Sequence, residues 1–476
     1  MLFNSVIFLV FFLIVYSVFH LQPEKYRKYT LLLSSMVFYG AWDYLNFESP
    51  FPRFLFHFFT VIAVNYIFIA GMQSTESAGK RKLFLVAALV LNILNLAFFK
   101  YFYFIIDAAG ILAGHPEWVA QAKTEFKIIL PIAISFYTFQ TIAFLVDKYR
   151  GEIPEKTTFT DFALFIFFFP QQLAGPILRA KEFLPYLSKP LPVDSEMIRM
   201  GLIFIGTGLI KKAVIADSMA EFVNPVFANP SAASSPEILM ASVGFLFQIW
   251  GDFAGYSDMA IGCGRLLGFV LPRNFIAPFL ASRFSEMWLR WHITLSSFLR
   301  DYLYFPMGGS RVSSVRASVN VMLTMTLAGL WHGANWNFVL WGFVIGLSLV
   351  IETNILDRFY FWRESKTGTA VTVRWFLVFC FWTFIAVIFR VNQVSDLAVL
   401  AKGLFAVKPA MGKIRPDQFA SLCLLTALLH YAELKIEILN RRIFHSKIFF
   451  AAAAAVLMFV LADLSNKQVQ FIYFQF

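Results

Sequence analysis

Apolar runs of bilayer-spanning length recur along this chain, and they restrict it to a helical membrane fold. A hydrocarbon core about 30 Å thick needs roughly 20 apolar residues per helical crossing. Candidate crossings lie near 3–19, 30–46, 54–72, 83–106, 127–147, 197–216, 238–262, 318–331, 335–351, 370–390, 417–439 and 446–463. The pair 318–331 and 335–351 is short for two separate crossings. Two more stretches, 159–176 and 284–306, are apolar but interrupted: Pro170, Gly175 and Pro176 break the first, and charges line one face of the second. Such stretches fit re-entrant or interfacial elements, shielded from lipid by protein. Composition agrees, since 59% of the residues are hydrophobic and only 14% charged, where a soluble domain runs nearer half and a quarter.

Basic residues orient these crossings. Lys25, Arg27 and Lys28 follow the first, Lys80, Arg81 and Lys82 the third, and Lys148 and Arg150 the fifth, with further clusters at 265–316, 358–374 and 441–447. With alternating crossings all fall on one side. The positive-inside rule makes that side cytoplasmic and puts both termini outside. The segment Arg390 to Arg415 breaks the pattern, placing Lys402, Lys408, Lys413 and Arg415 outside. The net charge of +11 is therefore mostly topology, and nothing supports nucleic-acid binding. Cys263, Cys380 and Cys423 are far apart and read as small core residues. Residues 1–19 lack a basic n-region and a cleavage site, so no signal peptide is expected.

Within this frame, His332 stands out in the apolar segment from Val319 to Val350. An ionisable ring at membrane depth marks a functional site by default. Arg316 lies sixteen residues earlier, about 24 Å along a helix, which places His332 in the middle-to-outer part of the bilayer. Gly329 and Gly333 leave it uncovered, while Trp331 and Trp336 offer apolar walls. A core histidine hydrogen-bonded between helices accounts for the pattern equally well. His292 lies on the edge of an apolar stripe formed by Phe284, Trp288, Trp291, Leu295, Phe298 and Tyr302, so 284–306 reads as one amphipathic helix. An interfacial helix with an incidental histidine fits that pattern too. His20, His57, His115, His430 and His445 fall near span ends or loops and carry no expected chemistry.

Several ordered motifs give the chain a family likeness. Trp291-His-Ile-Thr-Leu-Ser296, Phe298-Leu-Arg-Asp-Tyr-Leu-Tyr-Phe-Pro-Met-Gly-Gly309 and Leu330-Trp-His-Gly-Ala-Asn-Trp336 resemble the membrane-bound O-acyltransferase family, most nearly its bacterial polysaccharide branch. Ile134-Ser-Phe-Tyr-Thr-Phe-Gln140, Phe169-Pro-Gln-Gln-Leu-Ala-Gly-Pro-Ile-Leu-Arg179 and Phe253-Ala-Gly-Tyr-Ser-Asp-Met-Ala-Ile-Gly262 extend the likeness over nearly the whole chain. The resemblance implies an all-α polytopic membrane protein, with about 11–13 transmembrane helices in a ring around a central catalytic tunnel. Residues 1–476 would form one membrane domain, with 159–196 and 263–316 as cytoplasmic-side re-entrant or interfacial segments. It implies that His332 is catalytic and that His292 is its companion on the cytoplasmic side. Glu286-Met-Trp-Leu-Arg290 departs from a more basic run common in the family.

The implied activity is acetyl transfer from a cytoplasmic thioester to an exported or cell-envelope polysaccharide, alginate-like, across a bacterial inner membrane. Acetyl-coenzyme A or a carrier-protein thioester would be the donor, with no metal and no tightly bound cofactor. A periplasmic relay or acetyltransferase protein would be the partner, because the chain has no large soluble domain of its own. Other acyl groups, or peptidoglycan, teichoic-acid and lipid acceptors, are the alternatives; a transporter or scaffold is the non-enzyme reading. The chemistry suits imidazole, which accepts a proton from an attacking hydroxyl at neutral pH. An acyl-histidine intermediate is equally open. Asn335, expected near the same helical face, would orient the ring or cap the next helix. Tyr256, Ser257 and Asp258 are tunnel-lining or packing residues. Gln172, Arg179 and Arg300 are candidates for the donor path, with Arg179 either meeting coenzyme A phosphates or anchoring the cytoplasmic surface.

Overall fold

The computed structural model describes residues 3–47, 52–154, 156–173, 175–189, 191–412 and 415–442. Every regular element among them is helical. Over these residues the chain separates into two compact units, Met1–Ile205 with Met259–Pro272, and Gly206–Asp258 with Arg273–Phe476. In chain order the helices are α1 (Val6–Leu21), α2 (Glu24–Phe47), α3 (Arg53–Gln73), α4 (Ala78–Leu96), α5 (Phe102–Ala113), α6 (Trp118–Glu125), α7 (Ile134–Arg150), α8 (Phe159–Phe167), α9 (Ala180–Ser188) and α10 (Ser195–Leu209). There follow α11 (Asp217–Ala228), α12 (Ser235–Leu266), α13 (Phe284–Arg290), α14 (Ile293–Leu299), α15 (Ser314–His332), α16 (Trp336–Asn354), α17 (Tyr360–Arg363), α18 (Gly368–Arg390), α19 (Ser395–Gly403) and α20 (Pro416–Arg442).

Among the described residues, five segments are long and apolar enough to cross a membrane: Arg53–Gln73, Ala78–Ala113, Ser235–Leu266, Trp336–Arg358 and Gly368–Arg390. They coincide with expected crossings. The other expected crossings fall on helices that are shorter or more polar, such as α1 with 16 residues and α7 with 17. The run 446–463 lies outside the described residues.

In the first unit, α8 begins with a capping box between Thr158 and Asp161, and Lys28 reaches Asp161 at 2.6 Å. The helix stops at Phe167, ahead of Pro170, whose ring disfavours helical geometry in the preceding residue. Phe162, Phe165, Phe167, Phe168 and Phe169 are all fully buried. Phe58 stacks on Tyr137 at 4.4 Å in the same unit.

The second unit is organised by glycines. A Cβ on Gly251 of α12 would meet the Lys211 carbonyl at 2.7 Å, and one on Gly255 would meet the Gly208 carbonyl at 2.6 Å. The α12 backbone therefore lies directly against the π-helical turn Ile210–Ala216 that precedes α11. The pair α15 and α16 forms a tight antiparallel hairpin. Side chains at Gly329, Gly342 or Gly346 would run into the partner helix, with Gly346 opposite Met322, Gly342 opposite Met325 and Gly329 opposite Phe338. Small residues allow such approach where apolar burial gives no drive between helices. Each helix has 19 residues, so the hairpin is longer than the two short runs foreseen around His332. At its open end Glu352, 1% exposed, accepts hydrogen bonds from the first amides of α13, Phe284 N at 3.0 Å and Ser285 N at 2.8 Å. A carboxylate at a helix N-terminus meets both its unpaired donors and its dipole.

Candidate active site

His332 is the last residue of α15, where the chain leaves the helix through the extended Gly333. A Cβ on Gly333 would strike the Phe338 ring, so only glycine fits there. The imidazole is buried and meets Trp331 at 4.9 Å, Trp341 at 4.9 Å and Phe389 at 5.2 Å, all nearly edge to face. A cavity of about 20 Å³ adjoins it, lined among others by Trp291, Trp382 and Ile385. That is room for about one water. An acyl group entering this side must displace part of the aromatic wall.

His292 occupies a break rather than the continuous helix expected over 284–306. It sits between α13 and α14 with φ 42° and ψ 53°, a left-handed conformation costly for a residue with a Cβ. Such strain persists only where surroundings impose it. Here the backbone is tied on both sides, by Ile276 N donating to Arg290 O at 3.0 Å and Ile293 N donating to Asn274 O at 2.9 Å. The ring is 1% exposed, packs against Phe253 at 4.6 Å and pairs its Nδ1 with Asn274 Oδ1 at 3.0 Å. Burial pushes its pKa from the ordinary 6.5 down to about 3, so the ring is neutral at physiological pH.

Trp331 joins the two histidines. Its indole lies 5.9 Å from the His292 ring and 4.9 Å from the His332 ring, ring centre to ring centre. The structure thus gathers His292, Trp331 and His332 as one aromatic-lined cluster.

Other candidates fall elsewhere. Ser257 touches the cluster indirectly, receiving Asn274 Nδ2 at 3.2 Å. Asp258 pairs with Lys211 at 2.6 Å in a buried ion pair. Tyr256 is buried beside them in α12. Asn335 is exposed and reaches Asn392 O at 3.4 Å. The helix ends at His332, so no common face joins it to Asn335, and its side chain does not cap α16 either. Trp336 is also exposed and forms no wall of the site. Arg300 lies on a separate cleft of about 270 Å³ with Ser296, Ser297 and Tyr304, and pairs with Asp301 at 2.8 Å. Gln172 and Arg179 belong to the first unit and are buried, which removes Arg179 from a surface-anchor role.

Four groups were missed. Asn274 holds His292. Asn337, buried, donates to Val391 O at 3.0 Å and ties the start of α16 to the end of α18. His430 lies buried inside α20, away from any span end, stacked on Phe279 at 4.7 Å. Finally, Lys211 pairs with Asp258 and Glu433, and Lys212 with Asp217 at 2.9 Å and Asp252 at 2.6 Å. Acids and lysines isolated in apolar runs carried the same signal as His332.

Known proteins share this arrangement of sequence. The model of the membrane-bound O-acyltransferase family matches residues 151–394, which include both histidines. The protein described as probable alginate O-acetylase AlgI of Azotobacter vinelandii is 33% identical over 92% of this chain and 84% of its own length. The peptidoglycan O-acetyltransferase of Helicobacter pylori is 32% identical over 85% of this chain and 80% of its own. The teichoic acid D-alanyltransferase of Streptococcus thermophilus is more distant, 28% identical over 50% of this chain and 58% of its own. A helical chain with multiple apolar spans, matched along most of its length by such enzymes, belongs to the membrane-bound O-acyltransferase family and is an O-acyltransferase.

Proposed function

We propose that this enzyme moves an acetyl group from a cytoplasmic thioester, across the bacterial inner membrane, for O-acetylation of an exported or envelope polysaccharide. The observation that carries the reading is the buried His332 ring, seated at a helix end with its indole neighbour touching a second buried histidine. The acceptor hydroxyl attacks the thioester carbonyl while His332 takes its proton. The carbon–sulfur bond breaks as the ester forms, and the proton passes from His332 to the departing thiolate. His292 stands on the donor side. Acetyl-coenzyme A or an acetylated carrier protein supplies the thioester, and a periplasmic relay protein takes the acetyl group onward to the glycan.

Likeness to a probable alginate O-acetylase over 92% of the chain favours an alginate-like acceptor. Peptidoglycan is the second reading, favoured by a relative of nearly equal identity that carries that name. The test is labelled acetyl-coenzyme A and acetyl-carrier protein supplied to purified protein with each acceptor, wild type against His332→Ala. Transfer that depends on His332 supports the proposal, and the acceptor labelled selects the glycan. Acetyl transfer at wild-type rate by folded His332→Ala protein would overturn the base assignment. Solute uptake without any acyl transfer would favour a transporter.

A further inference from the structure

We infer that Asn274 is a positioning residue that dictates which nitrogen of His292 carries the proton, making that ring an obligate acceptor at Nε2. The argument starts from the Asn274 side chain, 1% exposed. Its Oδ1 receives the Thr294 backbone amide at 3.3 Å, the Thr294 hydroxyl at 2.9 Å and His292 Nδ1 at 3.0 Å. A backbone N–H can only donate, so the Asn274 atom facing it is the oxygen and not the amide nitrogen. The opposite end of the amide is occupied as well, donating to Ser257 Oγ at 3.2 Å. With an oxygen opposite it, Nδ1 must carry hydrogen.

A neutral imidazole has one ring hydrogen, so Nε2 is left as a bare lone pair. No described residue hydrogen-bonds that nitrogen. The ring can therefore take a hydrogen bond or a proton from an N–H or O–H of a substrate. It cannot donate to an oxyanion.

Asn274 is itself held from several directions. Its carbonyl accepts from Ile293 N at 2.9 Å, and three residues on, Ala277 N donates to Glu433 Oε2 at 2.6 Å. Ala277 has φ 44°, a second left-handed residue in the same stretch. Glu433 is in turn paired with Lys211. The buried lysine network thus anchors the segment that sets the His292 proton.

This inference rests on the acyl-transfer reading, in which His292 stands on the donor side, and its test separates the two. This chain in lipid nanodiscs carries seven histidines, few enough for ¹⁵N-histidine spectra in which His292→Ala identifies the His292 signals. The expected wild-type spectrum has a protonated Nδ1 and a pyridine-type Nε2 at neutral pH. Asn274→Asp keeps an acceptor opposite Nδ1 and retains that tautomer. Asn274→Leu mixes the tautomers and lowers kcat at least about tenfold with little change in KM for the thioester donor, since a donor-side ring that carries its hydrogen at Nε2 can no longer accept there while His332 acts as base. A wild-type His292 protonated at Nε2, or a folded Asn274→Leu protein with wild-type kcat, would overturn the inference. The wild-type spectrum decides the tautomer even where Asn274→Leu fails to fold. Absence of acyl transfer in the wild type would sink the reaction assignment and leave the tautomer result standing.

Discussion

Around Gly251 and Gly255, charge is buried and fully paired: Lys211 lies between Asp258 and Glu433, and Lys212 between Asp217 and Asp252. Around Trp331 the second unit instead buries two imidazoles among aromatic rings, one of them paired with the neutral amide of Asn274. Both regions are buried, and both contain groups that favour water. In the first, opposite charges compensate each other, and the outcome is a rigid framework. In the second, His292 keeps an open nitrogen, which is reactivity stored at the expense of solvation. The difference separates polar groups whose charge is answered inside the protein from a ring nitrogen that no described residue answers.

That contrast can be broken most directly at its two extremes. On the proposed role, His332→Ala should lower acyl transfer about 10²–10⁴-fold while leaving the protein folded and monodisperse by size exclusion. More than a tenth of wild-type activity would place the base elsewhere. Lys211→Leu should do the reverse, destabilising the protein by about 3–5 kcal/mol because two buried carboxylates lose their cation. Thermal unfolding in detergent measures this, and adding Asp258→Asn and Glu433→Gln should recover more than half of the loss. No recovery would mean that the lysine matters through packing.

Smaller effects sharpen the boundary. Gly342→Leu should cost about 1–3 kcal/mol by forcing α15 and α16 apart, and should lower activity together with stability because His332 rides on that hairpin. Unchanged activity would show that the hairpin tolerates separation without moving the ring. Asn335→Ala, at an exposed position, should stay within about 0.5 kcal/mol of wild type in stability and leave transfer rates unaltered. A clear drop in kcat would return Asn335 to the site.

Much of this architecture is legible in the sequence, because bilayer thickness fixes span length and a lone histidine in an apolar run declares itself. The break at His292 is not. No glycine or proline marks it, and the stripe Phe284–Trp288–Trp291–Leu295–Phe298 keeps its helical spacing through a single left-handed residue. The fixing of that residue depends on Asn274, eighteen positions earlier, and the anchoring of Ala277 on Glu433, far later. Asn335 misled because it was assigned to a helix that ends three residues sooner. The glycine pair Gly342 and Gly346 was a readable hairpin signal, four residues apart on α16, that went unused.

The α15–α16 hairpin has a consequence for how the protein is made. Its contacts join neighbours in sequence, so the loop that closes it is short and its closure early. His332, at the turn, is therefore set in place as soon as both arms of the hairpin pack together. Two of its surrounding rings, Trp382 and Phe389, arrive on α18, synthesised some fifty residues later. For that interval during synthesis the histidine is in position but its pocket has no far wall. The candidate histidine is thus laid down first and its enclosure last, so a chain truncated before α18 would carry the motif without the pocket.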